Sequence, residues 1–117
     1  MISKELLSEV LGVEVCEAPH KSIVSPIIAY KYKDTEGRYQ KQINIHELAH
    51  KCKVWALNRE VMFMSYTHKH GAECVYHPYS HNNEISYRKI FSADGGTEPE
   101  AIFKACQWIL DNDKSTT

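Results

Sequence analysis

Residues His46-Glu47-Leu48-Ala49-His50 spell H-E-x-x-H. On a helix, histidines four residues apart lie on one face, and a Glu beside the first can act as general base toward a zinc-bound water. One reading is therefore a zinc-dependent hydrolase with His46 and His50 as ligands and Glu47 as base. Such a site needs a third protein ligand and an open metal position. The chain continues Lys51-Cys52-Lys53-Val54-Trp55, so the third ligand would have to come from farther on, with His68, His70, His77, His81 and Glu84 as candidates.

Local context favours a structural role for the same segment. Asn44 is a good helix N-cap, and Glu47 follows it by three residues. The pair makes a capping box in which the Glu47 carboxylate turns back to the Asn44 N–H rather than toward a metal. Ile45, Leu48, Ala49, Cys52, Trp55 and Ala56 recur at helical spacing and predict a core-facing stripe, with His46, His50 and Lys53 on its flank. The expectation is no cofactor, with zinc as the alternative.

Other constellations are weaker. His68 and His70 are expected at one turn, and His77 and His81 at the next. A strand of about five residues spans roughly 17 Å, so the two pairs share a metal only if that strand is irregular. Cys74 and His77 are three apart in a predicted strand and point to opposite faces, which makes no ready nucleophile–base pair. Asp94-Gly95-Gly96-Thr97 reads as a turn and helix cap rather than a phosphate loop. The four cysteines, Cys16, Cys52, Cys74 and Cys106, have no ligand or redox spacing and read as reduced thiols.

Aromatic and basic residues on the predicted strands offer a contact surface instead. Tyr30, Tyr32, Tyr66, Tyr76 and Tyr87, with Arg88 and Lys89, are the interaction candidates. Half-exposed tyrosines at a sheet rim can anchor a protein partner or stack on bases. Fourteen Lys plus Arg against fifteen Asp plus Glu give a net charge of −1, so nucleic acid is possible but not favoured.

The elements that must position these residues follow from caps and periodicity. Ser3 caps an opening helix that Gly12 ends. Residues 13–24 read as a connection. Ile27 to Lys33 is a strand, Asp34-Thr35-Glu36-Gly37 a turn, and Arg38 to Ile43 the returning strand. The central helix runs from Ile45 to Asn58. Three strands follow, at Val61 to Thr67, Ala72 to His77 and Glu84 to Phe91. Gly95-Gly96 breaks the chain, Thr97 and Glu100 form a second capping box, and a closing helix spans 98–111 with Ile102, Phe103, Cys106, Ile109 and Leu110 inward. The order α-β-β-α-β-β-β-α predicts an α+β domain, a small antiparallel or mixed sheet with helices on at least one face, of which a three-layer α/β/α sandwich is one form. One domain over 1–111 with a flexible polar tail at 112–117 accounts for the 117 residues, 43% of them hydrophobic. No apolar stretch predicts export or a membrane span, so a cytoplasmic location is expected.

Leu6 to Val13, the Trp55 helix and Thr97-Glu98-Pro99-Glu100-Ala101-Ile102-Phe103-Lys104-Ala105-Cys106 together resemble stretches of small phage and prophage proteins with an α/β/α sandwich. The resemblance covers most of the chain. It implies that fold, a packing role for the central helix, and a phage or mobile-element origin, with no activity to carry over. Taken together, the sequence points to a binding or accessory protein that acts through a protein partner or as a homo-oligomer, without catalysis. Zinc hydrolysis through the His46–His50 segment and weak nucleic-acid binding are the alternatives.

Overall fold

The computed structural model describes residues 2–21, 26–78 and 91–115, apart from the side chains of 76–78, 91–93 and 113–115. Helix α1 (Lys4–Leu11) opens the chain, followed by two short strands, β1 (Glu14–Val15) and β2 (His20–Lys21). A hairpin of β3 (Ile27–Asp34) and β4 (Gly37–Asn44) leads into α2 (Ile45–Leu57). A second hairpin of β5 (Val61–His68) and β6 (Gly71–Pro78) precedes β7 (Phe91–Gly95) and α3 (Glu98–Ser115).

The strands form two antiparallel sheets flanked by the three helices, an α+β fold of the expected class. In the first sheet β3 pairs with β4 along its whole length, while β1 and β2 share its other edge. In the second the order is β5-β6-β7. The residues read as a shapeless connection thus contain two strands. They are two residues each, too short to show a period.

Each helix begins where a polar side chain answers its free amides. Ser3 Oγ accepts from the Leu6 N–H at 3.1 Å and donates to Gln107 Oε1 at 2.6 Å, tying the start of α1 to α3. Gly12 ends α1 in the left-handed region, φ 69°, where its N–H bonds the Ser8 carbonyl. Asn44 caps α2, but through the His46 N–H at 2.8 Å. Among the described residues no hydrogen bond joins Glu47 to the Asn44 N–H, so the expected capping box is half formed. At α3 the Thr97 hydroxyl accepts from the Glu100 N–H at 3.4 Å, and Glu100 reaches back to Gly96 rather than to Thr97. Helix α3 also runs to Ser115, past the expected end at 111, with Asn112 Nδ2 bonding the Trp108 carbonyl.

The turns follow side-chain chemistry. Asp34 Oδ1 accepts from the N–H groups of Glu36 and Gly37, at 2.7 and 3.1 Å, closing the first hairpin. Lys69-His70 forms the second, between the paired residues His68 and Gly71.

The core gathers the predicted stripes. Leu6 and Leu7 from α1, Leu48, Cys52 and Ala56 from α2, and Ile102, Phe103, Cys106 and Leu110 from α3 are buried with Ile28 and Ile43 of the first sheet and Ala72 and Cys74 of the second. Trp55 is half-buried against this cluster, with the Arg59 guanidinium 4.4 Å from its ring centre.

The third strand differs most from expectation. The observed β7 begins at Phe91, where the expected strand ended, and takes in Gly95. Residues 84–90 lie outside the described residues.

Candidate functional site

His46, Glu47 and His50 are exposed on the face of α2 opposite its buried stripe. They border three different clefts. His46 lines one with Lys21, Ile27 and Pro99. His50 lines another with Glu9, Val10 and Trp55. Glu47 lines a third with Tyr30, Tyr32, Lys41 and Lys51. The two histidines share one face of the helix, but different elements pack beside each. The first histidine belongs to the helix mouth beside β3 and the start of α3, and the second lies a turn on, beside α1. Among the described residues no three His, Cys, Asp or Glu side chains come together as metal ligands. His68 and His70 sit at the tip of the second hairpin, where the His70 N–H bonds His68 Nδ1 at 3.2 Å. The side chain of His77, and His81 and Glu84, lie outside the described residues.

The tyrosines separate into different environments. Tyr30 shares the inward face of β3 with Ile28 and is 8% exposed, so it is a core residue rather than the rim residue expected. Tyr32, two positions on, is half-buried and meets Tyr39 across the hairpin, ring centres 5.6 Å apart. Lys41 lies 5.5 Å from the Tyr32 ring centre. Tyr66 is exposed on β5, and its hydroxyl donates to the carboxylate of Glu73, directly opposite on β6. That bond holds the Tyr66 proton and is the main reason its pKa is raised. The side chain of Tyr76, and Tyr87, Arg88 and Lys89, lie outside the described residues.

Two features were missed in the sequence. The first is the edge of the second sheet. Among the described residues β5 pairs only with β6, in unbroken register from Val61↔Pro78 to His68↔Gly71. Val61 and Phe63 pack on the core, while Met64 and Tyr66 are 54% and 47% exposed. Alternation along β5 gives both faces, but pairing partners decide that this strand is an edge. The second is the cleft at Glu47, about 360 Å³, between the first sheet and α2. Leu11, Val13 and Ile43 supply apolar walls, and Tyr30 and Tyr32 stand beside two lysines. Residues from α1 to α2 meet there, and no local spacing announces it.

Two of the three buried thiols, Cys74 and Cys106, are set against chemistry. Burial pushes Cys74 up to about 12. A hydrogen bond with Cys52, and then burial, raise Cys106 further, and its Sγ lies 3.6 Å from the Cys52 carbonyl. Protonated thiols make poor nucleophiles and poor ligands. Cys16 alone of the four is partly exposed.

Among the described residues no helix is long and apolar enough to cross a membrane. The chain matches no family model, no curated protein and no solved structure.

Proposed function

We propose that this is a small binding protein that works through protein–protein contact at the outer edge of the second sheet, without catalysis. The observation that carries this reading is β5 itself, eight residues long, paired on one side among the described residues, and uncharged from Val61 to Thr67. An edge strand presents a row of backbone donors and acceptors. Chains that stay monomeric usually blunt such an edge with lysine, proline or a bulge. Here the register with β6 has no bulge, and the outward side chains Met64 and Tyr66 are apolar or aromatic.

An extended segment can add to such an edge as a further strand, with backbone hydrogen bonds supplying affinity and alternate side chains supplying selectivity. A second copy of β5 is one such segment. Two neutral strands running antiparallel place no like charges opposite one another. The phage or mobile-element origin rests on the resemblance of the helical stretches alone, and a cytoplasmic location on the sequence alone.

The test is sedimentation velocity across a wide concentration range, beside binding of a synthetic Val61–His68 peptide. We expect either a mass that rises with concentration or saturable peptide binding, abolished by Met64→Lys. Residue 64 is exposed, so the variant keeps its fold. A monomer at every concentration that ignores the peptide would overturn the reading.

A further inference from the structure

The cleft beside α2 is independent of the β5 edge, and its composition is specific. Tyr30 packs its ring into the core with 8% of the residue exposed, and among the described residues its hydroxyl, at the cleft wall, has no hydrogen-bond partner within the protein. A hydroxyl at a cleft wall with no partner inside the protein is free to donate to whatever occupies the cleft. Lys41 and Glu47 both act electrostatically on this hydroxyl, and both line the cleft, which places the phenol oxygen at its wall. Burial, the largest influence, holds the phenol protonated, so it is a donor.

The charges around that donor are unequal. Lys41, Lys51 and Glu47 all line the cleft, two cations to one anion. Among the described residues neither lysine makes an ion pair within 4.0 Å, although Glu47 stands four residues before Lys51 on the same helix. Lys41 belongs to β4 and Lys51 to the second turn of α2, so the two cationic residues border the cleft from different elements. The rest of the wall is largely apolar, formed by Leu11 at the end of α1, by Val13 and by Ile43. A volume of about 360 Å³ falls at the small end of ligand sites, roughly 300–1,000 Å³.

We propose that this cleft binds a small monocarboxylate with an apolar body, of the size of an aryl- or alkyl-acetic acid. The carboxylate accepts from the Tyr30 hydroxyl and lies between the Lys41 and Lys51 ammonium groups. Its hydrocarbon part covers Leu11, Val13 and Ile43 and the ring of Tyr32. Glu47 disfavours a second negative charge, which sets the preference for a monoanion over phosphate or a dicarboxylate. The Tyr30 hydroxyl gives direction, since its single proton can serve only one acceptor.

Phenylacetate, its neutral analogue phenylacetamide, acetate and inorganic phosphate are the probes, titrated into the isotopically labelled full chain and followed by amide NMR shifts. Phenylacetate should give saturable shifts at the amides of Leu11, Val13 and Ile43, while the other three shift them weakly or not at all. The double variant Lys41→Met/Lys51→Met changes two exposed side chains and should weaken binding at least about tenfold, the scale of charge-assisted contacts. Tyr30→Phe keeps the ring and should weaken it by about three- to tenfold, the worth of one hydrogen bond. Unchanged affinity in the double lysine variant would overturn the proposal. Equal response to phenylacetamide, or no saturable shift with phenylacetate up to about 10 mM, where even weak sites fill, would do the same.

Discussion

Gly95 stands so close to the first turn of α3 that a β-carbon placed on it would lie 2.7 Å from the Ala101 backbone nitrogen. The end of β7 and the start of α3 therefore pack backbone against backbone, and the glycine sets their separation. Gly71 makes the companion contact, since a β-carbon there would meet the Gly95 carbonyl oxygen at 2.6 Å.

Gly95→Ala should accordingly destabilise the fold by about 1–3 kcal/mol, the usual cost of forcing extra volume against atoms that cannot rotate away. Gly12→Ala separates this steric effect from backbone conformation. Its φ is 69° and nothing lies within 4 Å, so only the left-handed conformation opposes a side chain, at about 1–2 kcal/mol. Urea denaturation of both variants measures the difference. A Gly95→Ala protein as stable as the wild type would mean that α3 can shift away from β7 without loss.

Thiol accessibility gives a second expectation. Cys52, Cys74 and Cys106 are fully buried, whereas Cys16 is partly exposed beside β1. A disulfide reagent such as DTNB should modify one thiol rapidly in the native protein and all four in denaturant. Cys16→Ser should remove the fast reaction altogether. Fast modification of two or more thiols in the native Cys16→Ser protein would show that the contact of α2 with α3 opens readily.

The helices were legible because their signals are local. Ser3, Gly12, Asn44 and Thr97 each act within one turn, and the apolar stripes of α2 and α3 repeat often enough to fix a face. The sheets were less so. Alternation along Ile27–Asp34 separates Tyr30 from Lys31, but only the packing of Ile28 and Ile43 decides that the tyrosine face is the inner one. β7 was hidden because Phe91-Ser92-Ala93-Asp94-Gly95 carries two apolar residues and ends in a residue that usually breaks strands. The clefts combine residues far apart in sequence, such as Leu11, Lys41 and Lys51, and no one-dimensional spacing encodes them.

Cys74 also links stability to pH. Its thiol is raised from 9.0 to about 12, chiefly by burial, with Lys53 opposing. The folded chain holds this proton more tightly than the unfolded chain. The contribution is therefore intact below 9.0 and is lost as pH rises from there through about 12. By about pH 10.5 the loss from this group should approach ~2 kcal/mol. Cys74→Ala is less stable at neutral pH because it leaves a small cavity, but its stability should fall less steeply between about pH 8.5 and 10.5, the range in which the free thiol ionises. Parallel curves for the two proteins would remove Cys74 as a source of the alkaline decline.

The zinc reading of His46-Glu47-Leu48-Ala49-His50 makes the opposite demand on two exposed side chains. A structural or catalytic zinc would couple both histidines to folding through the metal, and losing them would cost several kcal/mol of apparent stability in the loaded protein. The geometry instead gives each histidine its own surroundings, His46 near Pro99 and His50 near Trp55, with Glu47 turned to the lysine-lined cleft. His46→Ala/His50→Ala should thus change unfolding stability by no more than about 0.5 kcal/mol, the range for surface positions without a special role. Protein purified without chelator should contain well under one zinc per chain, and the variant the same amount. One zinc per chain in the wild type, absent from the double variant, would restore the hydrolase reading and place its third ligand outside the described residues.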